Sequence, residues 1–383
     1  MRVAIVHHWF VTRGGGERVA ECIASLFPKA EIFALIKDPR GVPETLSVQK
    51  IHTSFLQRIP FAKSHHRHMM PLYPAATEAL DLRGFDLVIS SDSGPVKGIR
   101  IDPKATHICY CHSPMRYLYD GYESYRTQMG PITRTAFSFA AGRVRKWDTA
   151  AAQRVGYFIA NSKYVADRIR RVYGRDSAVI YPPIDLHYAQ TAEVPGPHYL
   201  CAGRLVGYKR TDLMIGACKQ LKRSLRIVGA GPEEARLRKL VGSADIKFLG
   251  ELPTADLWRE YANCRALLFA ADEDFGMVPL EAQACGRPVI AYGAGGSLET
   301  VRGAHDGSTA PVTGIYFAEQ SIESVIQSIL RFETADSEGV FQPDVTRSWA
   351  ATFGTNVFLR RMREFILSIV PNAEEAMTSL PVD

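Results

Sequence analysis

Short apolar runs of strand length alternate with longer helical stretches along most of this chain, and that alternation restricts its fold more than any other feature. Residues 3–6 precede a glycine turn and a helical stretch over 17–27. Residues 86–90, 107–111, 157–160 and 178–181 each read as a short, buried parallel strand. Strand, helix, strand in repetition is the pattern of βαβ units around a parallel sheet. The expected fold class is therefore α/β.

The series pauses at Pro182-Pro183 and again at Pro195-Gly196-Pro197. Two successive prolines can extend neither a helix nor a central strand, so a linker is the simplest reading. A second series follows at 199–202, 225–228, 246–249, 266–269 and 288–291. A chain of 383 residues is long enough for two cores. The expected division is a first Rossmann-like domain over 1–183, a second over 184–345, and a segment 346–383. In that last segment residues 348–370 have helical periodicity and are expected to form one helix crossing back onto the first domain.

Composition narrows the class. Hydrophobic residues make up 46% and charged residues 22%, as in an ordinary globular protein, and the net charge of +6 favours anionic partners such as phosphates, nucleotides or an acidic membrane. The seven cysteines are scattered without CxxC spacing, which fits a reducing compartment. The start has neither the long apolar stretch nor the small-residue site of a signal peptide, and no run nears the roughly 18–20 apolar residues that span a bilayer. A cytoplasmic location is expected.

Two stretches carry chemistry. Residues 271–290 run from a strand through an acidic loop, turn at Gly276, and enter a helix containing Glu281. Glu273 lies in the loop and Glu281 about one turn inside the helix, and carboxylates accept hydrogen bonds from sugar hydroxyls in pairs. Backbone N–H groups at the helix start, over Phe275, Gly276, Met277 and Val278, can bind phosphate or ribose oxygens. Isolated glutamates are usually just solvated; the glycine turn, Pro279 and the return through Cys285-Gly286-Arg287-Pro288 make that reading much weaker here. Upstream, Gly203 gives room to Arg204, and Lys209 stands just before a helix. Both cations fall at the C-terminal end of the second series' first strand, where doubly wound sheets bind ligands. Two cations there can neutralise a departing diphosphate.

These stretches resemble the retaining GT-B glycosyltransferases of family 4, which carry a Glu-x7-Glu motif and an upstream Arg…Lys pair. The resemblance covers nearly the whole chain. It implies two Rossmann-like domains facing a central cleft. Glu273 would touch the transferred sugar, Glu281 and Glu299 the donor ribose, and Arg204 and Lys209 the diphosphate. In the first half, Gly14, Gly15 and Gly16 would let backbone approach a phosphate or the acceptor, with Gly15 and Gly16 assigned to the donor and Gly14 to the acceptor. The dinucleotide fingerprint is absent, because its last glycine would fall at Val19. His112 resembles the family histidine that faces the sugar, and Arg116 and Tyr117 would meet the acceptor. His107, Cys109, Cys111 and His112 do not suit a zinc cage, because neighbouring strand residues point oppositely. The family implies no metal and no cofactor. The run from His112 to Tyr117 and the segment 89–98 look most like bacterial mannosyltransferases of O-antigen and exopolysaccharide synthesis, which use GDP-mannose.

Residues 48–77 hold no acidic residue and mix Arg58, Lys63, Arg67 and four histidines with Phe55, Leu56, Ile59, Phe61, Met69 and Met70; residues 126–147 set Arg134, Arg143, Arg145 and Lys146 beside Phe137 and Phe139. Basic residues beside aromatics suit an anionic membrane surface and a polyprenyl-diphosphate-linked glycan, and equally suit ordinary solvated helices. The expectation is peripheral attachment to the inner face of the plasma membrane, with nucleic acid not a partner. Rival readings are a nucleotide-sugar epimerase of similar fold, a transferase using a UDP- or ADP-sugar, a non-catalytic sugar-nucleotide binder and, more distantly, a dehydrogenase.

Overall fold

Why the strands come out parallel is visible in their burial: β1 (Val3–Phe10) is covered along almost its whole length, and β4 (Leu87–Asp92) along all of it. Strands apolar on both faces need helices on both sides, and crossover helices make the neighbours parallel. The computed structural model describes residues 1–127, 129–303 and 311–379. It has two compact units, Met1–Pro183 with Asn356–Asp383, and Ile184–Thr355.

The first unit holds a seven-stranded parallel sheet. Besides β1 and β4 it comprises β2 (Glu31–Lys37), β3 (Ile51–Thr53), β5 (Thr106–Cys111), β6 (Tyr157–Ala160) and β7 (Ala178–Val179), in the order β3-β2-β1-β4-β5-β6-β7. One face is packed by the helix Gly15–Leu26 and by Phe358, Leu359, Met362 and Ile366 of the helix Thr355–Ile369. The other is packed by Leu56, Ala62, Met70 and Tyr73 together with Ala141 and Val144 of the helix Pro131–Arg154.

The second unit holds β8 (Tyr199–Ala202), β9 (Leu225–Val228), β10 (Ile246–Gly250), β11 (Leu267–Phe269), β12 (Val289–Tyr292) and β13 (Gly314–Phe317), all parallel, in the order β10-β9-β8-β11-β12-β13. Its core runs from Ile215 and Cys218 through Leu225, Ile227, Leu268 and Ile290 to Ile329 and Phe332.

In each sheet the strand order reverses once, between β1 and β4 and between β8 and β11. The loops leaving the carboxyl ends of those strands diverge there, which opens the place where such sheets take ligands.

Sequence pattern alone misses β2, β3 and β13. The expected single helix over 348–370 is corrected to two, Pro343–Ala351 and Thr355–Ile369. The break falls at Phe353-Gly354, where the Phe353 carbonyl accepts from the Ile184 N–H at 3.0 Å and Gly354 bridges Ile184. The first of the two helices packs within the second unit, on the helix Met277–Ala284. Residues 380–383 of the expected terminal segment, and the side chain of Arg67, lie outside the described residues. Among the described residues no helix is long and apolar enough to cross a membrane.

Candidate functional site

In the second unit, β8 ends at Ala202 and the chain turns through Gly203 to Arg204, which is exposed. A short 3₁₀ turn, Gly207–Lys209, then delivers Lys209. Arg210 follows in the left-handed region at φ +50°, with its guanidinium on the Asp212 carboxylate at 3.2 Å. That uncommon conformation for a non-glycine residue ends the turn and starts the helix Thr211–Leu221. Arg204 and Lys209 line one small cavity with Gly203, Thr211, Phe269 and Ala271.

Lys209 is mostly buried and forms an ion pair with Glu273, which stands on the loop after β11. Its ammonium also lies 5.4 Å from the Phe269 ring centroid. Burial pushes the Lys209 pKa down, and the Glu273 carboxylate more than offsets this, so the ammonium is held above its ordinary value. The cation from one side of the strand reversal and the carboxylate from the other therefore meet.

The acidic loop is shaped by two glycine contacts. Gly276 caps the helix Met277–Ala284 at φ +90°, a conformation that L side chains rarely adopt. The Gly296 N–H donates to the Glu273 carbonyl at 2.8 Å, and a Cβ on Gly296 would lie 2.2 Å from the Phe275 carbonyl oxygen. Only a bare backbone can press this close. Met277 and Val278, partly buried, form the first turn of the helix, and Phe275 is buried. Glu281, partly buried, accepts from the Tyr261 hydroxyl at 2.7 Å. Burial raises its pKa, while Tyr261 and Lys209 pull the other way. Glu299 sits half-buried on the short helix Ser297–Thr300.

In the first unit the corresponding place lies around β1 and β4. Gly14 precedes the helix Gly15–Leu26 in extended conformation and has no side chain to cap it. A Cβ on Gly16 would stand 3.5 Å from His7 and 3.7 Å from His112. The His112 Nε2 lies 2.8 Å from the Ser91 hydroxyl, and its backbone N–H donates to the Asp92 carbonyl at 2.8 Å. Arg116, half-buried, opens a short 3₁₀ turn, and Tyr117 spends its hydroxyl on the Met115 sulfur at 2.9 Å. His107 bonds Ser90 rather than the His112 group, at 2.8 Å. Among the described residues no three His, Cys, Asp or Glu side chains are grouped to hold a metal ion.

The structure thus sets Arg204 and Lys209 on one cavity, pairs Lys209 with Glu273, joins the Glu273 loop to the glycines preceding Glu299, and groups Gly16 with His112. Sequence reading missed Tyr261, His7, Glu17 and Ser91. Of these only the His7-His8 pair and Glu17, beside the glycines, left a local signal.

Residues 13–188 match the family model Glycosyltransferase Family 4, and residues 189–338 match Glycosyl transferases group 1. Among curated proteins, the chain is 34% identical over 149 residues to a GDP-mannose-dependent monoacylated alpha-(1-6)-phosphatidylinositol monomannoside mannosyltransferase of Corynebacterium glutamicum, covering 35% of this chain and 37% of that protein. It is 31% identical over 182 residues to a GDP-mannose-dependent alpha-(1-6)-phosphatidylinositol monomannoside mannosyltransferase of Mycolicibacterium smegmatis, covering 39% of this chain and 47% of that one. The matches therefore span less than half the length of these relatives. In three dimensions the chain superposes on Anabaena HepE, solved with UDP, with a TM-score of 0.69 at 16% identity over 96% of this chain and 100% of that one. Sucrose-phosphate synthase from Thermosynechococcus elongatus gives 0.69 at 16% identity over 97% and 100%. The chain therefore carries a Glycosyltransferase Family 4 domain followed by a Glycosyl transferases group 1 domain on the GT-B fold.

Proposed function

We propose that this protein is a retaining α-mannosyltransferase that moves mannose from GDP-mannose to a lipid-linked glycan of O-antigen or exopolysaccharide type. The observation that carries the reading is that Arg204 and Lys209 share one cavity where the second sheet reverses and Lys209 pairs with Glu273 from the acidic loop. Both cations line one cavity, and a diphosphate is the leaving group that most needs such charge. The GDP-mannose dependence of the curated relatives supports the choice of donor.

In the reaction, the bond from the anomeric carbon to the phosphate oxygen breaks as the bond to the acceptor oxygen forms. Arg204 and Lys209 hold the charge that gathers on the diphosphate. The departing phosphate oxygen takes the acceptor proton. Glu273 and His112 stabilise the sugar as positive charge develops, and Glu281, held by Tyr261, binds the ribose. The backbone of Gly276, Met277 and Val278 serves the donor, with Gly15, Gly16, Phe275 and Glu299 in support; Gly14, Arg116 and Tyr117 serve the acceptor. No metal is assigned a step.

The first unit is assigned to the acceptor and to a membrane surface. The exposed Phe61, Ile132 and Phe139 sit among basic residues, with Arg143 over the Phe139 ring at 3.7 Å, which supports peripheral contact with anionic lipid. Co-sedimentation with anionic but not neutral vesicles is the expected result, and absence from both pellets would remove the membrane assignment.

The donor is tested by thermal shift against GDP, UDP and ADP, with GDP expected to stabilise most, because a ligand that binds only the folded state raises its melting temperature. Product analysis follows, with GDP-mannose supplied with and without a lipid-linked acceptor. A new glycosidic product that needs the acceptor supports transfer. Conversion of donor alone would mean epimerisation, and binding without either reaction a non-catalytic role.

A further inference from the structure

A run of close polar contacts in the first unit reaches His112 from the interior. His7, on β1, is fully buried and sits beside Ser91 on β4, its register partner in the parallel pair. The His7 Nδ1 lies 3.1 Å from both the Ser91 carbonyl oxygen and the Ser91 hydroxyl. The same hydroxyl lies 2.8 Å from the His112 Nε2. At the far side of the His7 ring, Nε2 has no hydrogen-bond partner, and its nearest carboxylate is Glu17 at 4.0 Å. Glu17 is itself buried, in the first turn of the helix Gly15–Leu26.

We propose that Glu17, His7 and Ser91 form a hydrogen-bond relay that sets which ring nitrogen of His112 carries the proton. The proposal rests on the reading of His112 as the sugar-facing histidine only for its consequence in catalysis. Its geometry stands without that reading.

Hydrogen-bond directions along the chain allow two arrangements. A neutral imidazole has one N–H and one lone pair, and a serine hydroxyl has one proton to give. When Glu17 is protonated, its O–H points at the His7 Nε2 lone pair, after a side-chain movement of about 1 Å to hydrogen-bond distance. His7 then carries its proton on Nδ1 and donates to Ser91. The Ser91 hydroxyl is left to donate to the His112 Nε2, so His112 keeps its proton on Nδ1. When Glu17 is ionised, His7 carries its proton on Nε2 and donates to the carboxylate. His7 then gives up its Nδ1–H bond to the Ser91 carbonyl oxygen, and the Ser91 hydroxyl turns to donate to the His7 Nδ1 and accepts from His112, whose proton now sits on Nε2. Between the two arrangements Glu17 gives its proton to the His7 Nε2, the His7 Nδ1 proton passes to the Ser91 oxygen as the Ser91 proton passes to the His112 Nε2, and the His112 Nδ1 proton leaves for solvent. The net change is one proton lost.

The surroundings favour a switch near neutrality. Burial raises the Glu17 pKa to about 7, against the pull of backbone N–H groups at Gly14 and Glu17. Burial first, then His8 and His112, lower the His7 pKa well below its ordinary value, so His7 stays neutral and can reverse its bonds. The titratable group beside Glu17 is His7 from β1; His112, after β5, acts on His7, and β4 presents Ser91, which does not titrate. On the same helix Arg18 is bonded to Glu21 at 3.0 Å. Beside His7, His8 bonds Ser93 and has a pKa of about 3, and Lys97 is paired with Asp92 and Asp148.

The test is a histidine-labelled ¹⁵N spectrum of the full chain, titrated from about pH 6 to about pH 8.5, a range that brackets the ordinary imidazole value. The His112 ring is assigned by its loss in His112→Gln. The expected result is a change from the Nδ1–H to the Nε2–H pattern with a midpoint near the Glu17 value of about 7. Glu17→Gln, which has no proton to lose, should abolish the pH-dependent change and hold one pattern throughout. In the Ser91→Ala background, adding Glu17→Gln should alter nothing. A wild-type His112 ring with one tautomer at every pH overturns the relay, and so does a Glu17→Gln effect that survives Ser91→Ala. The wild-type titration needs no variant to fold beyond the one used for assignment. If the rings behave as stated while no nucleotide sugar gives transfer, the relay holds and the transferase reading falls.

Discussion

The two units share a parallel-sheet plan and the same single reversal of strand order, yet they furnish that place in opposite ways. In the first, the groups beside the reversal are buried histidines, a serine and a carboxyl whose pKa burial raises to about 7. Its full charges, Lys97 with Asp92 and Asp148, are sealed inside with no exposed side-chain surface, and Tyr119 and Tyr173 both donate to Asp148. In the second unit two cations line the cavity: Arg204 is exposed, and Lys209, like its partner Glu273, keeps some access to solvent. A buried ion group fixes a loop, while a partly open pair can exchange partners with an anionic ligand. The same fold thus offers one end for orientation and another for charge.

Acid should separate the units most strongly. His8 and His107 have folded pKa values of about 3, below the ordinary 6.5, because burial disfavours their charged forms. Their contribution is present above about pH 6.5 and is lost as pH falls towards their folded values, since the unfolded chain binds more protons in that window. Glu17, with its raised value, works in the opposite direction between about 7 and its ordinary 4.5. His7 is lowered as well, so three histidines stand against one carboxyl, and the first unit should lose at most about 3 kcal/mol per pH unit below that window's upper edge and unfold before the second. In the second unit, His198 is the buried histidine among the described residues. A titration that melts the second unit first would break the comparison.

Lys97→Met comes next. It leaves two buried carboxylates without their cation and should cost about 3–5 kcal/mol, read as an early transition of the first unit in urea. A single unshifted melt would mean that the sealed charges do not fix the loop. Lys209→Met should do the reverse, with turnover falling about 10²–10³-fold while the melting temperature moves by only a few degrees. Near-normal turnover would remove the leaving-group role, as it would for Arg204→Ala. Gly296→Ala should have the smallest effect. Its Cβ would meet the Phe275 carbonyl at 2.2 Å and push the acidic loop aside, weakening donor binding about tenfold, or about 1.4 kcal/mol.

Much of this architecture was legible because hydrophobic periodicity is a local property. The runs at 86–90, 107–111, 199–202 and 225–228 each met a strand, and the acidic loop, Gly276 and Glu281 took the loop and helix positions expected of them. Of the strands that escaped, β3 and β13 are runs of three and four residues with little to mark them, whereas β2 carries the apolar run 32–36 and was missed despite that signal. The segment after residue 343 split because Phe353 and Gly354 bond to Ile184, a partner far away in sequence.

By itself, then, the sequence determined the class of fold, the succession of strands and helices, and the residue types at the ends of β8 and β11. Tertiary structure decided which polar groups meet: Lys209 with Glu273, Tyr261 with Glu281, and His7 with a serine 84 positions away. The reason is physical. An apolar stripe is written in neighbouring residues, whereas a hydrogen bond between strands depends on sheet order and register, which exist only once the whole sheet has formed.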